Sequence, residues 1–229
     1  MREKKEIRIN IAIDGPSGVG KSYISKMLAK ELNYKFISSG NLYRAIAYNA
    51  LANNLDLNDE KLISDSFESS DLDILDDDSI IFKNENITEK LRANEVSDAA
   101  STIAKYQKVR EKINHFIQQY SEANKGVIVD GRDATYRILP NAEAKFYMWA
   151  SPEVRAMRRV RQNKELGINS NYDEVYEALK IRDYNDMNRK VDPLKISEGS
   201  IVIDTEHMSI PENFDALYVH ILRIIKDKK

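Results

Sequence analysis

The chain has no cysteine, which removes disulfides, thiolate metal sites and cysteine nucleophiles together. Histidine is scarce: His115, His207 and His220 are scattered and offer poor material for a hydrolase. No apolar run approaches bilayer length, and Met1 to Glu6 is charged with no apolar signal core. We therefore expect a cytoplasmic protein with no membrane partner. Neither sign of charge dominates, with 35 basic against 37 acidic residues. Nothing draws the whole surface toward a nucleic acid polymer, so any basic site must be a local arrangement. Repeats and low-complexity linkers are also missing. What remains, 229 residues at 42% hydrophobic, suits one α/β domain with attached subdomains. Asn86-Ile87-Thr88 matches a glycosylation acceptor, but without a secretion signal it reads as coincidence.

The most informative stretch is Gly15-Pro16-Ser17-Gly18-Val19-Gly20-Lys21-Ser22, which fits the phosphate-binding loop pattern at every fixed position. Its glycines let successive backbone N–H groups turn inward around phosphate oxygens. Lys21 can reach β- and γ-phosphates, and the Ser22 hydroxyl can ligate Mg²⁺. Ile7, Ile9, Ile11 and Ile13 alternate into the loop as a strand. Ile24, Met27, Leu28 and Leu32 follow at helical spacing, so a helix N-terminus faces the anion.

Further along, Tyr34 to Ile37 reads as a buried strand broken by a turn at Ser38-Ser39-Gly40. Leu42, Ala45, Ile46 and Leu51 then give a helix with Arg44 in its first turn. A cation at the positive end of a helix is disfavoured unless an anion sits nearby. Asp56 to Asn86 is acidic, with Leu72, Ile74, Ile80 and Phe82 spaced like short strands. Asp76-Asp77-Asp78 and Asn84-Glu85-Asn86 are the expected hairpin turns of an inserted β subdomain. A long helical stretch to about Asn124 should break near Tyr106. Val127-Ile128-Val129 forms a buried strand ending in Asp130-Gly131-Arg132-Asp133, where an acidic residue suits Mg²⁺ handling beside a phosphate loop.

Ala144 to Trp149 is a fourth strand, and Ser151-Pro152 opens a helix carrying Arg155, Arg158, Arg159 and Arg161. Gly167 ends it, and Asn171 with Glu174 caps a second helix carrying Arg182, Asp183, Asp186 and Arg189. Two helices lined with arginine and joined by a short polar loop suit a mobile lid. Ser200 to Asp204 is the fifth strand, and Ser209 with Glu212 forms a capping box for the last helix. Strand–helix alternation predicts a five-stranded parallel sheet with helices on both faces. The expected layout is one domain: a core (about 1–55, 87–150 and 192–229), the insert (about 56–86) and the lid (about 151–191).

A phosphate loop leaves three classes: a GTPase switch, an ATPase motor and a small-molecule kinase. No Asn-Lys-x-Asp run supports guanine selectivity, and the chain is short for a motor. Arginines recur in four separated places: Arg44, Arg110, Arg132, and Arg182 with Arg189. They exceed what one triphosphate needs, which points to a second anionic substrate held by planar donor forks. A phosphate acceptor, whose second pKa is about 6, is already a nucleophile at neutral pH and needs no general base.

Several motifs together resemble the cytidylate kinases, nucleoside monophosphate kinases with a phosphate loop. They are Ile13-Asp14-Gly15 through Lys21-Ser22, Ser39-Gly40-x-x-Tyr43-Arg44, Asp130-Gly131-Arg132-Asp133 and Arg182-Asp183-x-x-Asp186-x-x-Arg189. Arg92-x-x-Glu95-Val96 with Ala100-Ser101, Val109-Arg110 and Val202-Ile203-Asp204-Thr205 extend the match along essentially the whole chain. The resemblance implies transfer of the ATP γ-phosphoryl group to CMP or dCMP; we expect Mg²⁺ as cofactor with ATP, and a monomer. Gly15 to Tyr23 would bind ATP (Gly15, Pro16, Ser17, Gly18, Val19, Gly20, Lys21, Ser22 and Tyr23), and Ser22 with Asp130 would serve the metal. Ser39, Ser101, Arg110 and Asp133 would surround cytosine, while Tyr43 and Asp186 meet the nucleoside. Arg44, Arg132 and Arg189 would hold the acceptor phosphate, and Arg155, Arg159 and Arg182 would cover the transferring group, so catalysis would fall to Lys21, Arg132, Arg155, Arg159, Arg182 and Arg189.

Two departures stand out. Ser38 occupies the family's usual Asp position, removing a negative charge near the acceptor or metal. Thr135-Tyr136 replaces a common Gly-Thr pair, which is expected to add bulk beside the cytosine pocket. A kinase for another monophosphate or small metabolite, or a nucleotide-gated binding protein with little turnover, stays open at this point.

Overall fold

The computed structural model describes residues 7–75 and 78–228. Met1 to Glu6 and two members of the aspartate triplet, Asp76 and Asp77, lie outside the described residues. In chain order the elements are β1 (Ile11–Asp14), α1 (Lys21–Leu32), β2 (Lys35–Ser38), α2 (Ser39–Ala52) and α3 (Glu60–Asp65). The insert sheet follows as β3 (Leu72–Ile74), β4 (Ile80–Phe82) and β5 (Glu85–Asn86), then α4 (Asn94–Ile103) and α5 (Gln107–Ala123). The chain continues through β6 (Val127–Gly131), β7 (Ala144–Trp149), α6 (Pro152–Glu165), α7 (Tyr172–Asn188), β8 (Ile201–Asp204) and α8 (Ile210–Asp227).

The main sheet is five-stranded and parallel, in the order β2-β6-β1-β7-β8. Its residues alternate between two cores. Ala12, Ile37, Val127 and Val129 face α2, α4, α5 and the insert. Ile11, Ile13, Phe36, Ile128, Phe146, Met148 and Ile203 face α1 and α8. Burying a side chain of this size contributes about 1.5–3 kcal/mol, so both faces need a helical cover, and both have one. The first connection returns on one side of β1 and later ones on the other, so the phosphate loop leaves the sheet at its switch point. No helix among the described residues is long and apolar enough to cross a membrane.

Four local expectations change. The first strand begins at Ile11, not Ile7, because the Asn10 side chain takes over the ladder: its Oδ1 accepts from Gly126 N–H and Val127 N–H, both at 3.2 Å. Ser38-Ser39-Gly40 is no turn; β2 runs directly into α2 at Ser39. The insert's second turn is Lys83-Asn84, both left-handed at φ 47 and 66, as a two-residue hairpin requires. Glu85 and Asn86, expected in that turn, are instead the third strand, paired with β4. The insert also holds α3, which the acidic composition hid, capped by Asp59 accepting from Leu62 N–H at 2.9 Å. The expected break near Tyr106 is present, with Tyr106 at the N-terminus of α5.

Candidate active site

The carboxyl ends of β1, β2 and β6 meet, with Asp14 opposite Gly131 and Ser38 opposite Asp130 in register. Gly15 passes so close to β7 that a Cβ would stand 2.3 Å from the Met148 carbonyl oxygen, so the loop is braced backbone to backbone. Gly20 starts α1 at φ +99, a left-handed position that frees the first helical N–H groups to face the loop interior. Gly18 takes φ +76, Val19 is buried, and Tyr23 points outward, 59% exposed. Lys21 is buried and donates to the carbonyls of Gly15 at 2.7 Å and Pro16 at 2.8 Å. Burial, with Arg132 adding repulsion, holds its ammonium well below the usual lysine range. The Ser22 hydroxyl donates to the Asp130 carboxylate.

A group of cations opens in front of this loop. Arg132 donates through Nε to Asp186 at 2.7 Å. Among the described residues Arg44 reaches only the Asn41 side chain, at 3.2 Å, and Arg159 only Gln162, at 3.2 Å. Arg182 has no hydrogen bond or ion pair among the described residues. Burial and repulsion from Arg132 lower Arg44, and burial with repulsion from Arg132, Arg44 and Arg159 lowers Arg182 to about 10. Guanidiniums that repel one another at close range mark a place where anions belong.

Behind the cations lies a second cluster. Asp133 is buried between Arg110, whose Nη2 donates to it, and Arg189 at 3.4 Å. The Arg110 guanidinium also lies 5.4 Å from the Tyr43 ring centroid. The Tyr43 hydroxyl is buried without a hydrogen-bond partner, and burial pushes its pKa up. Ser39 is buried and donates to the Asp130 carbonyl at 2.8 Å. Ser101 stands apart: it is exposed on α4 and its hydroxyl reaches only the Ser97 carbonyl, at 3.2 Å.

Helices α6 and α7, expected to form a lid, are tied to the phosphate loop. Arg155 is 2% exposed, with Nε on the Ala150 carbonyl at 2.9 Å, Nη1 on the Ser17 carbonyl at 2.7 Å and Nη2 on Asp183 at 2.5 Å. The other Asp183 oxygen accepts from Ser17 N–H at 3.3 Å. One residue of the loop is thus held through both its backbone groups by α6 and α7. Every nitrogen of Arg155 is engaged with protein, which makes it a clamp on the loop where a cover for the phosphoryl group was expected.

Three acidic residues without an assigned role emerge. Asp183 is one. Asp14 is fully buried and accepts from Ala134 N–H at 2.8 Å, Thr135 N–H at 2.8 Å and the Thr135 hydroxyl at 2.6 Å. Burial raises its carboxyl to about 6, against those hydrogen bonds. Thr135 therefore points into the core under the loop, where Ser197 donates to it at 2.8 Å, and Tyr136 donates to the Pro193 carbonyl at 2.5 Å. The bulk expected beside the base pocket is absorbed by these bonds. The third is Asp192, bonded to Arg110 and Arg137. Asp14 and Asp183 lie inside motifs legible in the sequence, but without a role; Asp192 carried no signal.

The family model described as cytidylate kinase matches residues 11–223. The chain belongs to the cytidylate kinase family. It is 48% identical over 207 residues to a cytidylate kinase of Mycoplasmopsis synoviae (strain 53), covering 90% of this chain and 95% of that one. A cytidylate kinase of Caldicellulosiruptor bescii is 41% identical over 224 residues, covering 96% and 99%. Among solved structures, a gluconokinase from Sinorhizobium meliloti 1021 superposes with a TM-score of 0.52 at 14% identity, covering 97% of each chain, a likeness of fold alone. The α/β phosphate-loop kinase fold expected from the sequence, with its five-stranded parallel sheet, is the fold observed.

Proposed function

We propose that this protein transfers the γ-phosphoryl group of ATP directly to CMP or dCMP, giving ADP and the nucleoside diphosphate. The observation that carries the proposal is the excess of converging cations. Lys21, Arg44, Arg132, Arg159 and Arg182 lie close enough to perturb one another, and the nearby Asp186, Asp130 and Asp14 offset only part of that charge. One triphosphate leaves this set under-used; a triphosphate and a facing monophosphate would satisfy it.

In the proposed reaction the loop amides and Lys21 receive the ATP phosphates, Lys21 exchanging its carbonyl partners for phosphate oxygens. The donor set at Ser22 and Asp130 fits Mg²⁺, which accepts one or two protein ligands and completes its shell with phosphates and water. When bound, the ion would neutralise charge on the β- and γ-phosphates. Arg44, Arg132 and Arg189 hold the acceptor phosphate, and Arg159 and Arg182 approach the migrating group from the lid. Asp133 accepts from the cytosine amine, whereas the oxygen of uracil would face a carboxylate and be rejected. Tyr43 offers its unpartnered hydroxyl to the nucleoside. Catalysis is then positioning and charge neutralisation with water excluded.

The test is a panel of CMP, dCMP, UMP, dTMP, GMP and shikimate with ATP and Mg²⁺, following ADP and the phosphorylated product. CMP and dCMP should be the preferred acceptors. Preference for another member would overturn the base assignment, and tight ATP binding without ADP from any acceptor would overturn the kinase reading.

A further inference from the structure

Just beyond the end of α7 the backbone turns left-handed at Asp192, at φ +48, immediately before Pro193. This residue touches three guanidiniums. Its Oδ2 accepts from Arg110 Nε at 2.9 Å, its carbonyl accepts from Arg189 Nε at 2.8 Å, and its Oδ1 forms an ion pair with Arg137, 2.9 Å from Nε. The Arg110 side chain is 1% exposed and that of Asp192 is 12%, so the Arg110–Asp192 bond is shielded from water. The segment is pinned from the other side by the Tyr136 hydroxyl on the Pro193 carbonyl.

The arrangement divides Arg110. Its Nε faces Asp192, its Nη1 the Ala104 carbonyl at 2.9 Å, and only Nη2 reaches Asp133. Without the second carboxylate, a buried guanidinium would have one anion left and would swing its fork fully onto Asp133. That would occupy the oxygens that a base amine must reach. The Asp192 carbonyl meanwhile fixes Arg189, which approaches Asp133 from the opposite side. We propose that Asp192 is a positioning residue of the acceptor site, holding Arg110 and Arg189 so that Asp133 keeps acceptor capacity for the nucleobase. The proposal rests on the cytidylate kinase reading above.

Asp192→Asn and Asp192→Gly both suit a left-handed turn and keep the carbonyl, so they remove the charge without breaking the backbone. Initial rates with CMP, UMP and ATP should show the CMP KM rising about ten-fold, with the ATP KM within about two-fold and the CMP-over-UMP preference narrowing. Unchanged CMP KM and preference would overturn the proposal, as would equal rises in both substrates' KM with a falling melting temperature. Should both variants fail to fold, Arg137→Gln removes a half-exposed anchor of the same carboxylate and should raise the CMP KM about two- to three-fold at constant melting temperature. An unchanged CMP KM there overturns it equally. A wild type without CMP turnover would defeat the functional reading and this proposal with it, whereas an active wild type with unaltered variants defeats only the role of Asp192.

Discussion

Removing Asp183 should damage folding and ATP binding by separable amounts. The Arg155–Asp183 pair is buried, at 2% and 7% exposure, and Asp183 is the only carboxylate on Arg155 among the described residues. Asp183→Ala leaves a guanidinium stranded in the protein interior, which costs about 3–5 kcal/mol. For a chain of 229 residues, at about 2–4 °C per kcal/mol, the melting temperature should drop by roughly 6–20 °C. The double variant Arg155→Met/Asp183→Leu replaces both charges with apolar groups of similar volume, and that exchange is neutral or stabilising by about 1–4 kcal/mol. Folding should therefore recover. ATP binding should not, because the Ser17 N–H and carbonyl have lost both partners and the loop its fixed shape. Loss of the tighter bond alone, 2.7 Å from Arg155, corresponds to roughly 1.5–3 kcal/mol, or about 10- to 150-fold in Kd. Urea denaturation and calorimetric titration with ATP measure the two effects on the same samples. A single variant costing under about 1 kcal/mol would refute the buried-pair argument. A double variant with wild-type ATP affinity would refute the claim that the lid shapes the loop.

Three further outcomes are expected. Lys21→Ala should lower turnover by orders of magnitude with the melting temperature nearly unchanged, and activity within a few-fold of wild type would remove the loop from the mechanism. Asp14 binds its proton more tightly in the folded protein, at about 6 against 3.8 for the free carboxyl, so its stabilising contribution is full below pH 4 and lost as pH rises through 6. The stability difference between wild type and Asp14→Asn should therefore shift against wild type by up to about 3 kcal/mol between pH 4 and 7, and a flat difference in urea midpoints would contradict it. In hydrogen exchange, the outer lid from about 160 to 175 should gain protection when ATP and an acceptor bind together, while the Arg155 and Asp183 ends should already be protected without them. Uniform behaviour along both helices would contradict the clamp.

What could be read from the sequence was whatever has a short period. The phosphate loop, the alternation of Ile11 to Ile13, the Ser151 and Ser209 caps and the break at Tyr106 all depend on neighbours within a few residues. The arginines could be counted but not apportioned. Arg155 and Arg182 carry the same charge on adjacent helices, yet one is spent on Ser17 and Asp183 while the other makes no ion pair among the described residues. Asp14, Asp183 and Asp192 find partners 121, 166 and 82 positions away, and such pairings leave no local pattern. Thr135 shows the same limit from the other direction. Its size was evident, but only the fold shows that its hydroxyl turns inward to Asp14.

Because β1 is the middle strand, the donor loop hangs from the part of the sheet with hydrogen-bonded neighbours on both edges. Other pieces of the site are more loosely integrated: α2 leaves the edge strand β2, and the Arg189–Asp192 segment is joined largely by side-chain bonds. Structure of the first kind is surrendered only in global unfolding, while the second can open in smaller cooperative units. The two halves of the site therefore differ in persistence. Under mild stress the Arg189–Asp192 segment should open before the Gly15–Ser22 loop does.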